Sequence, residues 1–184
     1  QLYMNSNLPN FVVTIGRQFG SGGREIGKLV AQELGISYFD KELLDEAAKS
    51  HGVNANLFEN ADERVPRFFS SFGSMGLGLS GGAFFTGSSG GSDALYKAQS
   101  QVIDEIASRG SCVIVGRTAD YILRNRENVI SVFIHAPIES CVKRILERNE
   151  TATEDQARIL AEKKNKLRSA YYNFYTERTW GDAA

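Results

Sequence analysis

One stretch limits the fold more than any other: Ile15-Gly-Arg-Gln-Phe-Gly-Ser-Gly-Gly-Arg-Glu-Ile-Gly27. Before it, Phe11-Val-Val-Thr-Ile15 has the continuous apolar character of a buried strand. After it, Ile26, Leu29, Val30 and Leu34 recur at helical spacing, and Gly35 suits a left-handed stop. The glycines therefore sit on a strand-to-helix turn. Only glycine lets main-chain amides close on an anion from such short range, and the helix start adds unpaired N–H groups and a positive dipole end. Arg24 fits that reading, because a cation in a first helical turn is disfavoured by roughly 0.3–1 kcal/mol unless an anion lies between it and the dipole. The expectation is a phosphate cradle formed by Gly20, Ser21, Gly22, Gly23, Arg24 and Glu25. The alternative is a glycine-rich connector with Arg24 turned to solvent.

The rest of the chain repeats the alternation. Ile36 to Phe39 reads as a strand and Lys41 to Ser50 as a helix; Asp93 to Ser108 carries Leu95, Ala98, Val102 and Ile106 on one stripe. Cys112 to Val115 is a third strand, Ala119 to Leu123 a short helix, and Val129 to His135 a fourth strand. Pro137 opens a helix with Ile138, Cys141, Val142 and Ile145 inward, and Thr153 caps a last helix reaching the Tyr171 region. Apolar strands alternating with helices predict an α/β fold: a three-layer parallel sheet with helices on both faces. With 184 residues, one domain is expected, its core at 11–50 and 93–137 and its C-terminal helices at 138–180.

Two segments depart from the pattern. Between Phe69 and Ser92 lie eight of the eighteen glycines and seven serines, interleaved with Phe72, Met75, Leu77, Leu79, Phe84 and Phe85. A pure linker would not carry so many apolar side chains, so 51–92 reads as a lobe with a mobile flap beside the site, the alternative being a disordered insertion. Val142 to Arg178 holds nine basic residues against six acids, whereas Asp40 to Arg64 holds seven acids against three bases. Over the whole chain 21 basic and 22 acidic residues nearly cancel, which argues against capture of a nucleic-acid polymer or a membrane surface. No apolar run approaches the roughly 18 residues of a spanning helix. Cys112 and Cys141 lie in apolar segments, and a reduced, cytoplasmic setting is expected.

The glycine turn is not a standard G-x-x-x-x-G-K-[ST] loop. With Gly22 as its last glycine, Gly23 replaces the lysine. With Gly23 as the last, Gln18 replaces the first glycine, Arg24 the lysine and Glu25 the metal-holding hydroxyl. In the second register Arg24 would grip phosphate bidentately, and Glu25 would meet Mg²⁺ directly or through water. Glu25 is equally readable as an acid that complements the helix dipole.

Taken together, Phe19-Gly-Ser-Gly-Gly-Arg-Glu-Ile-Gly27, Tyr38-Phe-Asp-Lys-Glu42, Val115-Gly-Arg-Thr-Ala-Asp120 and Tyr171-Tyr-Asn-Phe-Tyr-Thr176 resemble the cytidylate kinase-like family, relatives of the P-loop nucleoside monophosphate kinases. The likeness runs from Phe11 to about Trp180, outside the Gly/Ser-rich insertion. It implies a P-loop kinase-like domain with an acceptor lobe and an arginine-rich helical lid, ATP and Mg²⁺ as cofactors, and nucleotide substrates. By the same resemblance Asp40, Arg117 and Asp120 would hold the acceptor, with CMP or dCMP leading. Those enzymes carry Asp directly after the arginine, where this chain has Thr118. Asp40 is also a natural helix cap, and Arg117 with Asp120 would alternatively make a surface ion pair.

Arg144 and Arg148 share a helix face, and Arg168 matches a family Lys-x-Arg position. With Arg24 they are the candidate catalytic cations, since phosphoryl transfer spreads charge over oxygens that arginines can neutralise. Glu147 and Glu162 offer the plainer reading of a solvated helix face. Tyr171, Tyr172, Tyr175 and Trp180 read as core packing ahead of base stacking, and His51 and His135 lack a metal-type constellation. The expected activity is ATP-dependent phosphoryl transfer to a nucleoside monophosphate. The rival expectations are a nucleotide-binding sensor or interaction domain without turnover, and a kinase for another small acceptor.

Overall fold

The computed structural model describes residues 9–44 and 90–182. The lobe and flap expected from 51 onward lie outside the described residues as far as 89, as do His51 and most of the helix expected at 41–50. Residues 90–92, expected to be flap, instead open a helix, three residues before the predicted start.

The order is β1 (Val12–Arg17), α1 (Gly23–Leu34), β2 (Ser37–Phe39), α2 (Gly90–Arg109), β3 (Cys112–Val115), α3 (Ala119–Ile122), β4 (Val129–Ile134), α4 (Ile138–Glu147) and α5 (Glu154–Thr176). Residues 41–44 are also helical. Local chemistry sets these limits. Gly35 ends α1 at φ 64°, and the Thr153 hydroxyl caps α5 by accepting from Gln156 N.

All strand pairs are parallel, in the order β2-β3-β1-β4. Val13 lies between Val113 and Ile130, and Ile15 pairs with Val115. Alternation along β1 and β3 feeds two cores. Val12, Cys112 and Ile114 face Val102, Ile103 and Ala107 of α2, together with Ala119 and Leu123. Val13, Ile15, Val113 and Val115 face Ala31 and Val30 of α1. Helices thus cover both faces of the central strands, as the continuous apolar runs predicted. Coverage fails at β4, an edge strand, where Ile130 is 56% and Val132 42% exposed.

A third cluster joins α4 to α5: Val142 and Ile145 pack on Ala157 and Ala161, whose small side chains let the helices approach closely. Phe19, from the glycine turn, packs against the same cluster. That contact ties the turn to the C-terminal helices. Because β1 lies between β3 and β4, chains leave its carboxyl end in diverging directions, and a crevice opens at the place where open α/β sheets bind ligands.

Candidate active site

The glycine turn is held from below and left open above. Gln18 N donates to Ile134 O (3.0 Å), Gln18 Oε1 accepts from Ala136 N (3.3 Å), and Phe19 N donates to Asn165 Oδ1 (2.7 Å). Ser21 closes the turn, its Oγ donating to Gln18 O at 2.9 Å. Gly20 and Gly22 are left-handed, with φ 78° and 88°. A Cβ on Gly20 would come within 2.9 Å of Cys141 O, so the turn is packed against α4 at glycine clearance. No side chain caps α1. Among the described residues, the amides of Gly20, Gly22, Gly23 and Arg24 have no protein acceptor, and that of Ser21 has only Gln18 O at 3.4 Å. Such a set of unsatisfied donors at a helix start suits an anion.

The three expected C-terminal cations converge on this turn. Arg144 Nη1 donates to Gly20 O and Ser140 O, both at 3.4 Å, and its Nε lies 3.6 Å from where a Gly22 Cβ would stand. Arg148 pairs with Glu25 (3.4 Å) and Glu150 (2.7 Å), and its guanidinium lies over the Phe19 ring at 5.7 Å. Arg168 donates to Arg17 O at 3.2 Å and lies over the same ring at 5.3 Å. Glu147 partners Lys143 at 3.9 Å, and the carboxylate nearest Arg148 outside the turn is Glu150.

Arg24 behaves differently from its sequence assignment. Its Nε donates to Asp40 Oδ2 (3.0 Å), its Nη2 pairs with both Asp40 and Glu42, and its side chain is 43% exposed. The anion that offsets the dipole penalty is therefore supplied by the protein, at the carboxyl end of β2. Two residues assigned to opposite substrates are instead joined to each other. Hydrogen bonding to Glu42 holds the guanidinium protonated beyond its ordinary range; partial burial opposes this, and the Asp40 charge adds to it. Asp40 also serves as the expected cap, its Oδ1 accepting from Leu43 N at 3.4 Å. Burial, then the neighbouring Asp40 charge, pushes the Tyr38 hydroxyl up to about 12.

A cleft of about 1170 Å³ lies across the carboxyl ends of β1, β3 and β4, and Arg17, Arg117, Asp120, His135, Arg168 and Tyr172 are among its walls. Arg117 is buried and left-handed at φ 61°, so the turn after β3 aims it inward, away from a surface pairing. Asp120 Oδ2 accepts from Tyr172 OH at 2.6 Å; burial first, and that bond second, raise the tyrosine above its ordinary range. Tyr175 stacks on Tyr96 with centroids 4.1 Å apart, and Trp180 meets Phe133 edge-on in the wall of the cleft. Gly20 to Gly23 do not line the cleft; Arg17 and Arg168 stand between it and the turn. Arg17 and Asn165 were not singled out from the sequence, and Tyr172 was read there as a packing ring, not as the partner of Asp120. Arg17 had one signal, its place directly between strand and glycines, while the other two are distant in sequence and met only on folding.

No group of three metal-ligating side chains occurs among the described residues, and no helix among them is long and apolar enough to cross a membrane.

The parallel sheet with the glycine turn at its carboxyl edge defines a P-loop kinase-type fold, and the family match makes it that of a kinase for a nucleotide or another small molecule. The chain belongs to the cytidylate kinase-like family, whose model matches residues 12–184. Among solved structures, an uncharacterised protein from Eubacterium ventriosum is 30% identical, with TM-score 0.68 over 94% of this chain and 81% of the other. TT1252 from Thermus thermophilus shares the fold at 16% identity and TM-score 0.50, over 94% of this chain and 87% of that one. No curated protein matches.

Proposed function

We propose that the protein transfers the γ-phosphoryl group of ATP to a nucleoside monophosphate, with CMP or dCMP the preferred acceptor. The observation that carries this reading is the convergence of Arg144, Arg148 and Arg168 on a turn whose amides lack protein acceptors, beside a cleft containing Arg117 and Asp120. In the reaction an oxygen of the acceptor phosphate attacks the γ-phosphorus while the bond to the β-phosphate oxygen breaks. No protein nucleophile is needed, so positioning and electrostatics carry the catalysis. The amides of Gly20 to Arg24 bind the donor phosphates. Arg144 and Arg168 neutralise charge on the transferring group, while Arg148, paired with Glu25 and Glu150, holds the rim of the turn. Arg117 binds the acceptor phosphate, and Asp120 accepts from the base amino group while Tyr172 fixes its orientation. Asp40 acts indirectly by holding Arg24 at the edge of the turn.

The Glu25 carboxylate is 54% exposed and held only at 3.4 Å by Arg148, so a hard oxygen donor is available at the rim of the turn. It fits Mg²⁺ arriving with the nucleotide, a metal usually bound by one or two carboxylates together with phosphate oxygens and water. Mg²⁺ supplies charge neutralisation across the phosphates when bound.

The test is ADP formation from ATP against a panel of nucleoside monophosphates, with CMP and dCMP expected to turn over fastest. Turnover only with a different hydroxyl or phosphate compound would replace the acceptor. ATP binding with no turnover on any acceptor would make the protein a nucleotide sensor, a reading favoured by the missing lysine and Ser/Thr of the loop.

A further inference from the structure

Gly23 directly follows the last left-handed glycine of the turn, where a standard phosphate loop has its lysine, and it offers no side chain. The space is taken. A Cβ at Gly23 would lie 2.6 Å from Arg17 Cβ and 2.9 Å from Arg17 Cγ. The far end of the same side chain imposes a second glycine, because a Cβ at Gly116 would collide with Arg17 Nη1. Two glycines, in loops leaving two different strands, thus leave room for one arginine. Its main chain is fixed as well, since Arg168 donates to Arg17 O at 3.2 Å, and both residues line the cleft. Arg24 is turned toward Asp40 and Glu42 at the end of β2.

We propose that Arg17 is the phosphate-binding cation of this site, reaching from the end of β1 past Gly23 to supply the charge that a loop lysine gives elsewhere. A guanidinium on that path can hold two phosphate oxygens at once, which an ammonium cannot. Gly23 and Gly116 are then glycines because the arginine must pass between them. The assignment rests on the phosphotransferase reading, and the test separates the two.

The whole chain is titrated calorimetrically with ATP and, separately, with inorganic tripolyphosphate, which has no base or ribose. Arg17→Met keeps the stem that packs on Gly23 and removes the charge; it should weaken both ligands by about 30-fold, the scale of a lost charge-assisted hydrogen bond. Arg17→Lys should recover most of that loss, because it restores the positive charge on the same path. Should Arg17→Met fail to fold, Gly23→Ala replaces it: the added Cβ displaces the Arg17 stem, and both affinities should fall with every arginine intact. Wild-type affinity in Arg17→Met overturns the assignment alone. A wild-type chain that binds neither ligand overturns the phosphotransferase reading and the assignment together.

Discussion

Arg24 and Arg144 flank the same glycine turn and differ in what they touch. Arg24 is matched by two carboxylates, Asp40 and Glu42, while Arg144 donates to the carbonyl oxygens of Gly20 and Ser140. A carbonyl accepts a hydrogen bond without cancelling charge, whereas a carboxylate does both. The Arg24 side therefore works as an internal clamp between α1 and the end of β2. On the Arg144 side, positive charge is held beside unsatisfied amides and stays available to a phosphate. Proximity to a glycine loop says little about a cation until its counter-charges are known.

The contrast is sharpest in the variant with the largest expected effect. Arg144→Met should lower kcat/KM for ATP by about 10³-fold, while its urea midpoint stays close to wild type. A loss in stability instead of rate would show the two arginines to be alike. Asp40→Asn should do the opposite. Removing one partner of a well-buried ion pair costs several kcal/mol, but Arg24 is 43% exposed and keeps Glu42, so a loss of about 1–2 kcal/mol in denaturant unfolding is expected. Its kcat/KM for ATP should fall less than tenfold.

Tyr172→Phe probes the cleft rather than the turn. It deletes the 2.6 Å bond to Asp120 and should raise the acceptor KM about fivefold, leaving the KM for ATP alone. Equal changes in both KM values would disconnect Asp120 from the acceptor. The smallest effect is confined to alkaline solution. Tyr38 has an ordinary value near 10 that burial and Asp40 push up to about 12, so above pH 10 the unfolded chain releases this proton first. Stability contributed by the neutral hydroxyl is complete below pH 10 and is lost as pH rises to about 12. Denaturant midpoints measured across that window should decline less steeply in Tyr38→Phe than in wild type.

Periodicity and end signals made nearly all the described elements readable. Cys112 to Val115 matched in full, and Gly35 and Thr153 marked helix ends through interactions local to them. The start of α2 at Gly90 was missed because Gly90, Gly91 and Ser92 have poor helix propensity, which the longer helix overrides. The exposure of β4 was missed for a different reason: Val129 to Ile134 is apolar in composition, and composition does not report a strand's place in the sheet. At the site, Arg168 came from the family resemblance, whereas the glycine turn and the shared helix face of Arg144 and Arg148 were legible from spacing. The pairing of Arg24 with Asp40 was not, because it depends on where the end of β2 falls beside α1. Arg17 was hidden in the same way: its significance lies in two glycines that it excludes from bearing side chains, one of them ninety-three positions after the other.

The turn after β3 carries one more consequence. Gly116, Arg117 and Thr118 are left-handed in succession, at φ 82°, 61° and 55°. Glycine adopts that geometry freely, but the other two residues are each held there at a cost on the order of 1 kcal/mol. A library screened for heat resistance alone would accordingly enrich glycine at position 117, relaxing the backbone and discarding the guanidinium. Thermal robustness and occupancy by an anionic guest would then pull this short arc of chain in opposing directions.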